Sequence, residues 1–181
     1  MASIKGTGIL GVVRLLAERR NHTEPLLPVD LRPYLDRQIL VSSWYPEADF
    51  LALLRTMVHF TPKHGGDPWR WLGRESARVD LVEIYSSMVQ KGSPWGTLQR
   101  LPRLWRLYHD TGKAEVGVAG ETRAQVFVEG YPFPGEDFSG FMAGYLDTML
   151  ELAGAHHRRI RSLRLGSASK PSVWIADWVS G

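Results

Sequence analysis

The chain has 181 residues and no cysteine; 44% of the residues are apolar, 23% are charged, and the formal net charge is +3. These values are typical of a globular protein, and they exclude disulfides, thiolate nucleophiles and cysteine-based zinc sites. No stretch approaches the roughly 20 consecutive apolar residues that a membrane-spanning helix needs. We therefore expect one cytoplasmic domain, residues 1–181, without a membrane span.

The first 110 residues are predicted to be mainly helical. Apolar residues recur at helical spacing over about 8–20, 46–60 and 67–90, and the last of these is predicted to be the longest helix. Asp67-Pro68 and Ser93-Pro94 each combine a capping side chain with a proline at the first helical position. A helix is expected to start at Ser93, to bend or restart at Pro102, and to end at Gly112. Short extended segments are predicted before the first helix and over residues 39–41.

The remaining residues predict two β-hairpins separated by one long helix. Alternating apolar residues flank the turn at Gly120-Glu121, and residues 158–165 and 172–179 form a second pair around a turn-rich segment. Between the hairpins, residues 138–152 carry an apolar stripe in which Gly140 and Gly144 would allow another backbone to pack closely. The predicted fold is α+β: N-terminal helices packed with a four-stranded antiparallel sheet, with the long helix lying across it.

Several short motifs carry a resemblance to known proteins: Trp44-Tyr45-Pro46, Leu72-Gly73-Arg74, Leu101-Pro102-Arg103-Leu104-Trp105, Tyr108-His109-Asp110-Thr111-Gly112, and the final Val173-Trp174-Ile175-Ala176-Asp177-Trp178. In this order they resemble a myxobacterial paralogous family of uncharacterised proteins. The layout is also similar to the superfamily of 4-vinyl reductase-type domains, haem nitric-oxide-binding domains and vesicle-tethering small subunits. The resemblance covers nearly the whole chain. It implies an α+β fold, dimers, and a cavity between helices and sheet that holds a small molecule, a lipid chain or haem in some members.

Two departures from these relatives restrict the cofactors. The 4-vinyl reductase-type pattern carries cysteines around the last hairpin, and this chain has none, so that metal site is not expected. The haem branch uses a proximal histidine and a Tyr-x-Ser-x-Arg clamp. Here Tyr85-Ser86-Ser87-Met88-Val89 begins like the clamp but lacks its spacing and its arginine. We therefore predict no metal and no cofactor.

Two patterns imitate cofactor-binding or catalytic motifs. Gly6-Thr7-Gly8-Ile9-Leu10-Gly11 matches the dinucleotide fingerprint, with Asp30 about twenty residues later, but too few residues precede it to form the required buried strand. Close packing of the first helix explains these glycines better. Ser167-Ala168-Ser169-Lys170 fits the serine–lysine nucleophile pattern, but Pro171 follows it and the companion elements are missing. A hairpin turn is the better explanation.

Other polar groups could also act chemically. His59 and His64 with Asp67 could bind a metal, and His156-His157 are adjacent, but no further donor completes a site. The charged residues from Arg74 to Glu83 alternate in sign at helical spacing, which favours surface ion pairs over acid–base catalysis. Four arginines crowd residues 158–164; a nucleic-acid partner is not expected, although the sequence alone does not say whether this cluster binds anything. No catalytic residue is predicted.

The aromatic surplus suggests a binding function. Seven tryptophans are unusual for this length, and such side chains fill a core or line a cavity. The leading prediction is a non-enzymatic regulatory or ligand-sensing domain, forming a homodimer and binding a small hydrophobic molecule. One alternative is a protein–protein adaptor with a filled core, and a second is a haem-based gas sensor. The predicted ligand-binding residues are Trp69, Trp71, Tyr85, Trp95, Trp105, Phe141 and Tyr145.

Overall fold

The computed structural model describes residues 2–61, 66–167 and 169–179. The chain divides into two compact units, the first formed by residues 1–63 with 107–110 and the second by residues 64–106 with 111–181. The expected single domain stays a prediction. Within the described residues, no helix is both long enough and apolar enough to cross a bilayer.

The first unit combines helices with a two-stranded antiparallel ribbon. Its elements are β1 (Ser3–Lys5), α1 (Gly6–Glu18), α2 (Arg20–Thr23), a 3₁₀ segment (Val29–Leu35), β2 (Trp44–Pro46) and α3 (Glu47–Val58). β1 pairs with β2, which confirms the extended start of the chain. Residues 39–41 form no strand, contrary to the prediction, because the partner of β1 begins three residues later at Trp44. Ile9 and Leu16 are fully buried on one side of α1, as the helical spacing predicts.

The helices of the second unit differ in length from the prediction. They are α4 (Pro68–Val79), α5 (Pro94–Leu98), α6 (Leu101–Tyr108, whose last two residues belong to the first unit) and α7 (Glu136–Leu152). The predicted longest helix leaves α-geometry at Asp80, where a wider π-turn (Asp80–Ile84) closes with a 2.6 Å bond from the Tyr85 amide to the Asp80 carbonyl. Between Ser93 and Gly112 the chain forms two helices, so of the two outcomes expected at Pro102 the structure shows the restart.

The sheet of the second unit confirms the predicted pair of hairpins. Its strands are β3 (Lys113–Gly120), β4 (Arg123–Glu129), β5 (His156–Arg164) and β6 (Ser172–Val179), all antiparallel in the order β3-β4-β6-β5. The hairpins join through β4 and β6, where Val126 lies opposite Trp174 and Ala124 opposite Ala176. The connection between the hairpins is α7, so the sheet and its covering helix come from one continuous segment.

One face of this sheet, which we call the inner face, forms the core against α7. Cross-strand partners share a face, so Val126, Trp174 and Ala176 point the same way, and each is fully buried. Trp174 packs edge-on against Phe138 of α7 with ring centroids 5.7 Å apart. Its Nε1–H donates to the Ser139 carbonyl at 3.2 Å, which satisfies the indole's donor in the interior.

Helices α4 and α7 meet backbone to backbone through glycines. A Cβ at Gly144 would lie 2.0 Å from the Arg70 carbonyl oxygen, and one at Gly73 would lie 1.9 Å from that of Phe141. At Gly140 a Cβ would lie 2.4 Å from the Asp67 carboxylate. The close approach predicted from Gly140 and Gly144 is therefore confirmed. It leaves no room for a side chain between the two helices.

Candidate functional site

The seven predicted ligand-binding aromatics all lie in the second unit, but at different depths. Trp105 and Tyr145 are buried, and the other five are half-buried. Trp69 lies at the α4–α7 contact, where its Cβ is 2.9 Å from the position a Cβ would take at Gly140. Trp95 stands at the start of α5, which also packs on α7. The half-buried members are Trp69, Trp71, Tyr85, Trp95 and Phe141.

Trp105 belongs to a closely packed aromatic cluster. Its ring lies edge-on to Tyr131 at 5.4 Å and to Phe138 at 6.2 Å, and the Tyr131 and Phe138 rings are 4.4 Å apart. Its indole N–H donates to the Thr111 carbonyl at 3.0 Å. Together with Trp174, these rings fill the space between α6, the start of α7 and the inner face of the sheet. Trp105 therefore has a packing role in the structure.

Tyr145 and Phe141 form a separate group near the π-turn. Their ring centroids are 6.4 Å apart, and the Tyr145 hydroxyl donates to an Asp80 carboxylate oxygen at 3.2 Å. Burial, and after it the Asp80 charge, raises the pKa of Tyr145 well above its usual value. The π-turn holds Asp80 at this point, and its other side exposes Val82, which is 56% accessible. The half-buried ring of Phe141, beside the polar Tyr145–Asp80 pair, is suited to contacting an apolar molecule that carries one polar group.

A buried carboxylate that the sequence analysis did not single out links three elements of the second unit. Asp147 on α7 accepts two hydrogen bonds from Arg74 of α4, at 2.7 and 3.0 Å, and one from Arg158 of β5 at 3.0 Å. Glu151, one turn further along α7, lies 3.6 Å from Arg158 and 3.7 Å from Arg78. Asp147 is the one charged residue in the mainly apolar run from Phe141 to Leu150 of α7, and that break in the pattern was the signal available in the sequence.

The first unit has its own buried acid–base pair, which the sequence analysis also missed. Glu47 at the start of α3 is fully buried, and its Oε2 lies 3.1 Å from Nδ1 of His109. A carboxylate that orients an imidazole through Nδ1 is found at metal sites and at structural pairs alike. Among the residues that the structure describes, no group of three histidine or acidic side chains is placed to hold a metal ion.

Haem binding can be tested against the same residues. His22, His59, His156 and His157 are exposed, His109 is engaged with Glu47, and His64 lies outside the described residues. Tyr85 precedes a 3₁₀ turn, Ser86–Met88, and Arg100 uses its guanidinium on the Ser87 carbonyl. Neither a clamp arginine nor the clamp spacing is present. Among the described residues, the Tyr85 segment therefore does not supply the clamp that the haem-binding branch uses.

The motif-like patterns have structural explanations. A Cβ at Gly6 would lie 2.1 Å from the Leu40 carbonyl oxygen, and one at Gly8 would lie 2.9 Å from Ile4, so close packing explains these glycines as predicted. Ser167 and Lys170 exchange backbone hydrogen bonds of 2.9 and 3.3 Å in a tight turn. The Asp67 side chain caps α4 through the Trp69 amide at 2.9 Å. His59, which the sequence grouped with His64 and Asp67 as possible metal ligands, is exposed.

A surface pocket of about 270 Å³ lies at the turn between β3 and β4. Residues 119–123 line it together with Asp177 and Trp178, and its polar wall includes the ion pair between Arg123 and Asp177. None of the seven predicted ligand-binding aromatics lines this pocket. The pocket is small for a drug-sized ligand, which occupies roughly 300 Å³ or more.

Comparison with known proteins identifies the fold of this chain but does not assign the chain to a family. No protein-family model matches the chain, and no curated protein sequence matches it. Solved H-NOX structures do match. A mutant from T. tengcongensis is 11% identical with a TM-score of 0.68, covering 96% of this chain and 97% of that one. A Cs H-NOX variant carrying 4-cyano-L-phenylalanine is 11% identical with a TM-score of 0.69, covering 96% of each chain.

A third solved structure extends the same comparison. It is described as an oxygen-binding H-NOX domain related to soluble guanylate cyclases; it is 10% identical, with a TM-score of 0.66, and covers 96% of this chain and 94% of that one. Identities this low establish a shared fold and leave function open. The haem nitric-oxide-binding part of the predicted resemblance is therefore supported at the level of architecture: this chain has an H-NOX-like α+β fold.

Proposed function

We propose that this chain is a non-enzymatic ligand-sensing domain that binds a small hydrophobic molecule in place of haem. The observation that carries the proposal is the H-NOX-like fold along 96% of the chain, on which the described residues do not offer the haem clamp. One of the neighbouring H-NOX structures is described as an oxygen complex, so sensing a small ligand is a use this fold supports. The predicted homodimer stays a prediction.

The half-buried aromatics around α4, α5 and α7 support an apolar ligand. Trp69 and Phe141 flank the α4–α7 contact, and Tyr145 with Asp80 supplies a polar anchor nearby. An apolar molecule gains roughly 25 cal/mol for each Å² of apolar surface that these side chains remove from water. The Trp105 cluster supports the proposal less, because its rings already pack against one another.

That packed cluster favours a second candidate, the protein–protein adaptor. Four aromatic side chains, Trp105, Tyr131, Phe138 and Trp174, occupy the region between α7 and the inner sheet face where the resemblance implies a cavity. A core filled in this way needs no ligand for stability. The adaptor hypothesis keeps the same fold and places the binding function on the protein surface.

The two candidates can be separated with an uncharged apolar fluorophore, N-phenyl-1-naphthylamine, titrated against the purified full chain. We expect saturable, one-to-one fluorescence enhancement. Trp69→Ala and Phe141→Ala should each weaken binding at least fivefold, because each removes a ring from the proposed lining. Val29→Ala is the matched control, since Val29 is 74% exposed in the first unit and its loss should leave the titration unchanged.

Two results would count against ligand sensing. A folded protein that shows no saturable enhancement would overturn the proposal and favour the adaptor. The second result would come from a titration with haemin, in which we expect no sharp Soret band. A band that forms at one equivalent and disappears in His109→Ala would replace the proposal with the haem alternative.

A further inference from the structure

The face of the sheet turned away from α7, which we call the outer face, has its side chains in rows across all four strands. One row runs Glu115, Phe127, Val173, Arg164, from β3 to β5. The next row is Gly117, Gln125, Ile175, Arg161, and the third is Gly120, Arg123, Asp177, Arg159. Each row therefore ends in arginine on the β5 side, and the first begins with glutamate on the β3 side.

This outer face is open to solvent. The side chains of Glu115, Arg123 and Arg161 are 60%, 53% and 44% exposed. Two apolar residues at its centre, Val173 and Ile175, are nevertheless buried, at 3% and 6% exposure. Phe127 leans over Gly117, with a ring carbon 3.4 Å from where a Cβ would stand. The exposed part of this face is therefore mainly polar and charged: arginines line the β5 edge, and on the β3 edge Glu115 lies 3.1 Å from Lys113 of the same strand.

We propose that the outer face is a self-association surface, on which a second copy of this chain packs face to face about a two-fold axis parallel to the strands. Such an axis, placed between β4 and β6, brings β3 of one copy over β5 of the other. Glu115 then faces Arg164 of the second copy, Phe127 faces Val173, and Arg123 faces Asp177. Each contact occurs twice, as an isologous interface requires.

The geometry of stacked sheets accommodates these contacts. Packed sheets lie about 10 Å apart with strands rotated by roughly 30°. With strands about 4.8 Å apart, that rotation moves the edge strands by about 4 Å relative to each other, which a flexible arginine can span. Gly117 and Gly120 stand opposite Arg161 and Arg159 of the second copy, so the longest side chains meet the smallest residues.

Charge selects this axis over the other in-plane choice. An axis perpendicular to the strands through the middle row would place Arg164 over Arg159 and leave Glu115 opposite Gly120, so like charges would meet. In the proposed arrangement the acidic and basic ends of the first row are matched. Lys113 and Glu129 lie on the same face beside Glu115, so five basic groups oppose three acidic ones, and the excess of two positive charges per face favours a weak association.

The size of the face also indicates a weak dimer. Four strands about 4.8 Å apart and about seven residues long give roughly 450 Å² per copy, or about 900 Å² in total. That is at the low end for specific protein–protein interfaces. The expected dissociation constant is therefore in the range of about 10–100 µM, and self-association should be visible only at high protein concentration.

Sedimentation velocity of the full chain from about 5 to 500 µM tests the proposal by charge exchange. Arg164→Glu should weaken dimerisation at least tenfold, because it places two glutamates against each other at both ends of the interface. Glu115→Arg should do the same by pairing arginines. The double variant restores opposite charges and should return to within threefold of the wild type. Arg103→Glu, an exposed charge reversal on α6, is the control and should change little.

Each alternative result has a defined meaning, provided that thermal unfolding shows every variant to be folded. A wild type that stays monomeric to 500 µM overturns the proposal. So does a double variant that remains as weak as its parents. Single-stranded DNA is the other occupant to test. If a 25-mer of oligodeoxythymidine binds the wild type, is lost with Arg164→Glu, and no self-association occurs, the face belongs to a nucleic acid and the proposal is wrong.

Discussion

The two faces of the four-stranded sheet use alternate residues of the same strands and differ in how much charge they carry and how much of it is exposed. The inner face holds Trp174 and Val126 at zero exposure against α7, whereas the outer face carries charged side chains that are about half exposed. Burial on the inner face excludes water from apolar surface, which dominates folding free energy. Charge pairs on the outer face are partly exposed and contribute little to stability. In the proposed dimer they would determine how the two copies are arranged.

The largest expected effect comes from the inner face. Trp174→Ala removes a fully buried ring that contacts Phe138 and donates to Ser139, so we expect a loss of about 3–5 kcal/mol in the free energy of unfolding. Urea denaturation followed by circular dichroism measures it. Trp44→Ala, at a tryptophan 45% exposed in the first unit, should cost less than about 1 kcal/mol. Equal losses at both positions would show that Trp174 is not part of a packed core.

The next effect tests the glycine contact that holds α7 in place. Gly144→Ala puts a methyl group 2.0 Å from the Arg70 carbonyl oxygen, so the helices must separate, at a cost of about 2–3 kcal/mol. Gly11→Ala is the matched control. It has no neighbour within 4 Å on α1 and should stabilise the protein by about 0.5–1 kcal/mol. A neutral Gly144→Ala would contradict the close approach of the two backbones.

A third prediction concerns Asp147, which joins α7 to α4 and β5. Asp147→Asn leaves Arg74 and Arg158 without their shared carboxylate, and both guanidiniums are partly exposed, so we expect a loss of only about 1–3 kcal/mol. Glu151→Gln, at a side chain 44% exposed, should cost less than about 0.5 kcal/mol. Thermal and chemical unfolding of both variants at one fixed pH measures the difference. A larger loss of stability in Glu151→Gln would show that Glu151, and not Asp147, is the main link between α7 and its neighbours.

The fourth prediction uses alkaline pH. Because burial raises the pKa of Tyr145, the unfolded chain releases this proton near pH 10 while the folded chain keeps it. The stabilisation is complete below pH 10 and is lost as the pH rises from there through the folded-state pKa. Tyr145→Phe should cost about 1 kcal/mol at pH 7 and show a smaller decline between pH 9 and 12. Parallel declines in both proteins would exclude Tyr145 as the source.

The smallest effect is expected on the outer face. Burial raises the pKa of Asp177, but hydrogen bonds from Arg123 and Arg161 outweigh it, so the net pKa is below the usual value. The stabilisation that the Asp177 carboxylate contributes is present above about pH 4 and disappears as the pH falls through the lowered pKa. Asp177→Asn should change stability by less than about 0.5 kcal/mol at pH 7 and remove that acid dependence. A loss comparable to that of Trp174→Ala would erase the difference between the two faces.

Local patterns predicted most of the architecture. The predicted strand 172–179 coincides with β6, and the predicted strand 158–165 overlaps most of β5. Asp67 and Ser93 cap α4 and α5, as the Asp-Pro and Ser-Pro pairs indicated. The π-turn at Asp80 could not be predicted, because its apolar spacing resembles a continuing helix and only the wider hydrogen bond to Tyr85 distinguishes it. Short motifs were a weak guide to function for the same reason: Gly6 and Ser167 satisfy local packing and turn geometry.

The candidate site was predicted less well than the fold. Aromatic composition drew attention to Trp105 and Tyr145, but sequence spacing does not say which rings pack against each other and which line a cavity. Asp147 and Glu47 were missed because a buried carboxylate is recognisable only when its partners, distant in the chain, are in place. Arg74 lies 73 residues from Asp147, and His109 lies 62 residues from Glu47.

The glycine contact between α4 and α7 has a mechanical consequence. With Gly73 and Gly144 holding the two backbones in direct touch, neither helix can roll about its own axis or slip past the other without a steric collision. The two helices would therefore move together as one rigid unit. A conformational change in the second unit would have to act beyond this contact, for example at the π-turn after Val79, where the regular hydrogen bonding of α4 ends.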